Sequence, residues 1–145
     1  MLGSSRLRRP VSVLLVEDND VYAHTVQLLL DELETVVVVG RARNGAEGVK
    51  LAIALKPDCV LMDVSMPVLD GFEATERIRD ELPSTRVVIL TSSDDPADKV
   101  RARAAGAADY LTKESGLQEL EAALTRARPA GRARGPYGSC MVAPT

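Results

Sequence analysis

Between residues 11 and 128 one unit repeats five times, a short apolar β-type run followed by a helical stretch, and this alternation constrains the fold more than any other feature. The runs are 11–16 (VSVLLV), 35–42 (TVVVVGRA), 59–63 (CVLMD), 86–91 (RVVILT) and a short 109–111 (DYL). Their Val, Ile and Leu content is continuous rather than alternating, as strands covered on both faces require. Helical stretches fall at about 20–33, 44–55, 70–81, 96–105 and 116–128. Apolar residues recur at helical spacing in the first (Val21, Leu28, Leu29, Leu33) and most clearly in the last (Leu117, Leu120, Ala123, Leu124). Punctuation fits the same frame: Asn44 caps the second helix, Pro57 ends it, Pro83 follows the third, Asp95-Pro96 opens the fourth and Gly106 closes it. Right-handed crossovers then leave one favoured solution, an α/β fold with a doubly wound five-stranded parallel sheet of order 2-1-3-4-5 and helices on both faces.

A length of 145 residues suits one domain, assigned to 11–128. The flanks 1–10 and 129–145 are rich in Gly, Pro, Ala and Arg and are expected to be flexible, the second a basic tail of the kind that links to an output domain. No apolar run approaches the roughly 20 residues of a membrane span, and acids interrupt any signal-peptide pattern, so a cytoplasmic protein without a membrane partner is expected. Cys59 and Cys140 are too few for a disulfide framework or a zinc site. Seven of the 18 Lys and Arg lie in 1–10 and 126–145, which contain no acid, leaving the body with 11 basic against 21 acidic residues. Such a body favours cations over nucleic acid, so direct nucleic-acid binding by this chain is not expected. Glycines in the 40–48 stretch (GRARNGAEG) have the wrong offsets for a dinucleotide fingerprint.

In an open α/β sheet, ligands sit beyond the carboxyl ends of the strands where strand order reverses, here between the first and third strands. The first strand ends in Glu17-Asp18, the third in Asp63, the fourth in Thr91, and the fifth runs into Lys113. Two carboxylates about 4 Å apart repel by about 4 kcal/mol at an effective dielectric near 20, so a trio needs a proton or a cation. Oxygen donors with room for water suit Mg²⁺ or Mn²⁺. A carboxylate beside such an ion can attack phosphorus and become an acyl phosphate, and Asp63, ending the central strand, is the candidate nucleophile.

At these residues the chain resembles the receiver domain of bacterial two-component response regulators, the CheY-like family of flavodoxin-like fold. The matching pieces are Glu17-Asp18, LMDVSMPVLDG (61–71), Thr91-Ser92 and GAADYLTK (106–113), in that order and at those strand ends. The resemblance implies that Asp63 accepts a phosphoryl group from a phosphohistidine of a sensor histidine kinase or phosphotransfer protein. It implies that Asp18 and Asp63 ligate Mg²⁺ directly, Glu17 through water, and the backbone carbonyl of Ser65 as well. It further implies that Thr91 and Tyr110 form a coupled switch, that Lys113 pairs with a phosphoryl oxygen, and that the fourth helix, fifth strand and fifth helix form the readout face of a signalling module that is not an enzyme. Homodimerisation, and DNA binding through an output domain outside this chain, are compatible with it. Glu17 stands where Asp is frequent, and Glu114 replaces a common Pro, so a trans Lys113–Glu114 bond is expected.

Each residue also has a blander reading. Asp18 could cap the first helix, Asp63 could be a polar strand end, Asp70-Gly71 plain turn chemistry, Thr91 a β-branched strand residue, Lys113 a solvated charge and Tyr110 a core aromatic. His24, the only histidine, reads as a helix-surface or packing residue rather than a phosphoryl donor. Two rival functions remain: an aspartyl-phosphate phosphatase, disfavoured because Ser65 stands where a second carboxylate would act as general acid, and a pseudo-receiver that binds partners without phosphorylation.

Overall fold

The structure, a computed structural model, describes residues 9–64, 70–92 and 95–126. The elements alternate strictly: β1 (Val11–Val16), α1 (Asp20–Asp31), β2 (Val36–Ala42), α2 (Gly45–Leu55), β3 (Cys59–Asp63), α3 (Gly71–Glu81), β4 (Arg86–Thr91), α4 (Pro96–Ala105), β5 (Asp109–Thr112) and α5 (Leu117–Arg126). All strand pairs are parallel and the order is β2-β1-β3-β4-β5, as the repeat predicts.

Side-chain alternation along the strands divides the core in two. Val13 and Leu15, Leu61, and Val88 and Leu90 meet α1 and α5 through Ala23, Val26, Leu30, Leu120, Ala123 and Leu124. Leu14 and Val16, Val60 and Met62, and Val87 and Ile89 meet α2, α3 and α4 on the other face. Of the stripe expected on the first helix, Leu33 packs against the core but Val21, Leu28 and Leu29 are exposed, while Ala23, Val26 and Leu30 are buried. Both sets obey helical spacing, and the small Ala23 fits close to the sheet where a bulkier Val21 faces water.

The caps fix the loops that carry the site. Asn19 rather than Asp18 caps α1, its Oδ1 accepting the Tyr22 N–H at 2.8 Å. Asn44 and Asp70 accept the N–H groups of Glu47 and Glu73 in the same way. Lys56 ends α2 in the left-handed region (φ 48°) just before Pro57, and Gly106 ends α4 at φ 97°. At Gly71 a Cβ would lie 2.5 Å from the Asp63 carbonyl oxygen, so only glycine lets α3 start this close to the end of β3. The Lys113–Glu114 peptide is trans.

The flanking arginines are not all free solubilising charges. Arg9 forks onto Asp58 at 2.8 and 3.0 Å, and Arg126 pairs with Asp109, because each reaches a partly buried carboxylate at the amino-terminal rim of the sheet. Residues 1–8 and 127–145 lie outside the described residues.

Candidate functional site

Beyond the carboxyl ends of β1 and β3, Glu17, Asp18 and Asp63 each bring a carboxylate oxygen within 4.8 Å of the others. Glu17 and Asp63 are 1% and 3% exposed, whereas Asp18 is exposed and opens the group to solvent. The Lys113 ammonium bridges the two buried acids, 3.0 Å from Glu17 Oε1 and 3.6 Å from Asp63 Oδ2. Asn19, not Asp18, caps α1, so the capping reading of Asp18 does not hold, and its carboxylate joins the acidic cluster. Thr91, also buried, ends β4 next to β3, and its carbonyl accepts the Lys113 N–H at 2.6 Å. The five separated positions 17, 18, 63, 91 and 113 therefore converge at the ends of neighbouring strands. Ser65 lies outside the described residues.

The electrostatics follow from burial. Loss of water pushes the Glu17 carboxyl up to about 7 against the pull of the Lys113 ammonium, with the Asp63 charge adding to the rise and the Asn19 N–H opposing it. One lysine thus compensates three acids incompletely. All donors are oxygens, packed more closely than free carboxylates would settle, so the residues present fit a hard divalent cation.

Tyr110 sits outside this cluster. It pairs with Ile89 in the β4–β5 register, so its ring shares a sheet face with Thr91, two residues further along the neighbouring strand. It is half-buried and helps to line a cleft of about 170 Å³ between α4 and β5, together with Lys99, Arg103 and Asp109. Sequence reasoning missed Tyr22. Its half-buried ring lies under the Lys113 ammonium, 4.3 Å from Nζ to the ring centroid. Burial, and then the Glu17 and Asp63 charges, raise its phenol to about 12. No helical spacing could have flagged it, since Asp18 precedes the Asn19 cap and lies outside α1.

This arrangement has close counterparts. The family model described as the response regulator receiver domain matches residues 13–125. The chain belongs to the response regulator receiver domain family. Response regulator GacA of Pseudomonas aeruginosa is 40% identical over 114 residues, covering 79% of this chain and 53% of that protein. The receiver thus spans about half the length of the curated relatives it matches. Among solved structures, the signal receiver domain of the putative response regulator NarL from Mycobacterium tuberculosis superposes with a TM-score of 0.78 at 35% identity, covering 86% of this chain and all (100%) of that chain. A response regulator from Burkholderia pseudomallei with a phosphorylated aspartic acid, calcium ion and citrate gives 0.72 at 30% identity, covering 81% and 68%. Receiver domains bind Mg²⁺ at an acidic pocket, and this chain has a cluster of acidic residues in Glu17, Asp18 and Asp63. No helix among its described residues is long and apolar enough to cross a membrane.

Proposed function

We propose that the receiver is a phosphorylation switch whose acceptor is Asp63. The observation that carries this reading is the Lys113 ammonium held 3.0 and 3.6 Å from two buried carboxylates that also crowd Asp18. A phosphoryl group carries into this site the negative oxygens that an ammonium and a metal can neutralise.

In the proposed reaction an Asp63 carboxylate oxygen attacks the phosphorus of a phosphohistidine on a sensor kinase or phosphotransfer protein. The new O–P bond forms as the N–P bond breaks, and the electron pair stays on that nitrogen, so a phosphohistidine protonated on its other ring nitrogen leaves as a neutral imidazole. Glu17, Asp18, Asp63 and the Ser65 carbonyl would hold Mg²⁺ or Mn²⁺, which when bound supplies charge neutralisation at the phosphoryl oxygens. Lys113 pairs with one of those oxygens, and the Thr91 hydroxyl donates to another. Moving Thr91 toward the acyl phosphate empties space on the sheet face it shares with Tyr110, so the ring can turn inward and reshape the cleft by α4. The readout is then a change in protein contacts on α4, β5 and α5, including self-association, with DNA binding belonging to an output domain of a longer protein. The cytoplasm is the compartment in which such a kinase partner presents its phosphohistidine. The module is modified once per signal rather than turning over a small substrate.

The test is intact mass spectrometry after incubation with acetyl phosphate. Wild type gains one phosphate in the presence of Mg²⁺ and none in EDTA, and Asp63→Asn gains none. An adduct that persists in Asp63→Asn would overturn the assignment of the acceptor.

A further inference from the structure

The loop that delivers Glu17 and Asp18 is anchored from the neighbouring strand. The β1–β2 register sets Val16 beside Ala42, and the Ala42 carbonyl accepts the Glu17 N–H at 2.9 Å, so the side chain of Arg41 emerges beside this loop. Its guanidinium donates from Nη2 and Nε to the Glu17 carbonyl oxygen at 2.7 and 3.2 Å, and from Nη1 to Asp20 Oδ1 at 2.8 Å. The Arg41 side chain is only 20% exposed, so these bonds are sheltered from competing water. Arg43 also reaches Asp20, but it is largely exposed and has no bond to the Glu17 carbonyl among the described contacts.

We propose that Arg41 is a positioning residue for the divalent-cation site: its planar fork spans the loop from Glu17 to Asp20 and holds both carboxylates of the pair toward Asp63. The inference rests on the reading of Glu17, Asp18 and Asp63 as cation ligands. Three donors of a rigid guanidinium fix carbonyl and carboxylate at once, a geometry that one ammonium cannot reproduce. The role has an unusual sign. By charge alone, removing a cation from beside three acids should tighten the binding of another cation. Removing a positioning group should weaken it, because the loop then samples orientations in which Glu17 and Asp18 do not converge.

The experiment titrates Mn²⁺ into the full chain, following free Mn²⁺ by electron paramagnetic resonance with Mg²⁺ as competitor. Wild type, Asp18→Asn, Arg41→Gln, Arg41→Lys and Arg43→Gln are compared. Arg41→Gln is expected to weaken Mn²⁺ by about tenfold or more, the range typical of groups that orient metal ligands. Arg41→Lys, which keeps the charge but loses the fork, is expected to weaken it too, and it carries the test with the same sign if the Gln variant does not fold. Arg43→Gln, which removes an equal charge without touching the fork, is expected to leave affinity unchanged or tighter. Wild-type affinity or better in both Arg41 variants overturns the positioning role. A wild type whose Mn²⁺ binding equals that of Asp18→Asn overturns the cation reading itself. Loss in Asp18→Asn without loss at Arg41 overturns only the inference.

Discussion

At the amino-terminal rim of the sheet, Asp58 receives the two nitrogens of Arg9 at 2.8 and 3.0 Å, the Ser12 N–H at 2.9 Å and the Ser12 hydroxyl at 3.1 Å. At the carboxyl-terminal rim, one Lys113 serves Glu17 and Asp63 while Asp18 crowds the same space. Loss of water pushes the part-buried Asp58 up as it does the buried Glu17, but at Asp58 the Arg9 and Ser12 hydrogen bonds overcome it and bring the carboxyl below its usual value. At Glu17 burial wins and the carboxyl rises to about 7. The same residue types give a satisfied joint at one end and an unrelieved concentration of charge at the other. A divalent cation at the second end would relieve that charge, whereas at the first end the hydrogen bonds to Asp58 already do so.

The largest expected contrast between the rims is in pH dependence. An unfolded Glu17 ionises near 4.5 and the folded one near 7, so its stabilising share is complete below 4.5 and is lost as pH rises through 7. In metal-free protein the loss is on the order of 3 kcal/mol, and urea titrations across this window should show it in wild type and not in Glu17→Gln. Asp58 has the opposite sign: its share is present above 3.8 and falls away as pH drops below that value. Parallel profiles for wild type and Glu17→Gln would remove the distinction. Next in size, Asp58→Ala should lower unfolding free energy by about 2 kcal/mol, since it removes the acceptor of the part-buried Ser12 N–H and hydroxyl. Mg²⁺ at ten times its dissociation constant should raise wild-type stability by about 1.4 kcal/mol and Asp58→Ala by the same increment, with EDTA reversing both. Asp63→Asn should cancel most of that increment. The smallest effect is the gain from Asp63→Asn in metal-free protein, about 1 kcal/mol from removing one of three like charges. A destabilised Asp63→Asn would mean that Lys113 already balances the trio.

Much of this architecture is legible before folding is considered. The five-fold alternation fixes element order, and strand ends name Glu17, Asp18, Asp63, Thr91 and Lys113 as neighbours. What misleads is local ambiguity. Val21, Leu28 and Leu29 satisfy helical spacing as well as Ala23, Val26 and Leu30, and only the sheet selects the smaller set. Asp18 and Asn19 are both good caps, and the Tyr22 N–H is reached by Asn19. Arg9 belongs by composition to a polar leader, yet Asp58 holds it. Tyr22 and Arg41 carry no motif, because their roles arise from a ring and a guanidinium reaching residues 91 and 24 positions away in the chain.

The sequence by itself determined the parallel α/β class, the strand order and the acids and lysine at the strand ends, because periodicity and position along a strand are local properties of the chain. Tertiary structure alone decided how strongly those groups feel one another. Burial of Glu17 to 1% exposure, the sharing of one ammonium by two carboxylates, and the fork of Arg41 on the loop all depend on distances across strands, and the energy of a charge is set by its neighbours and its access to water.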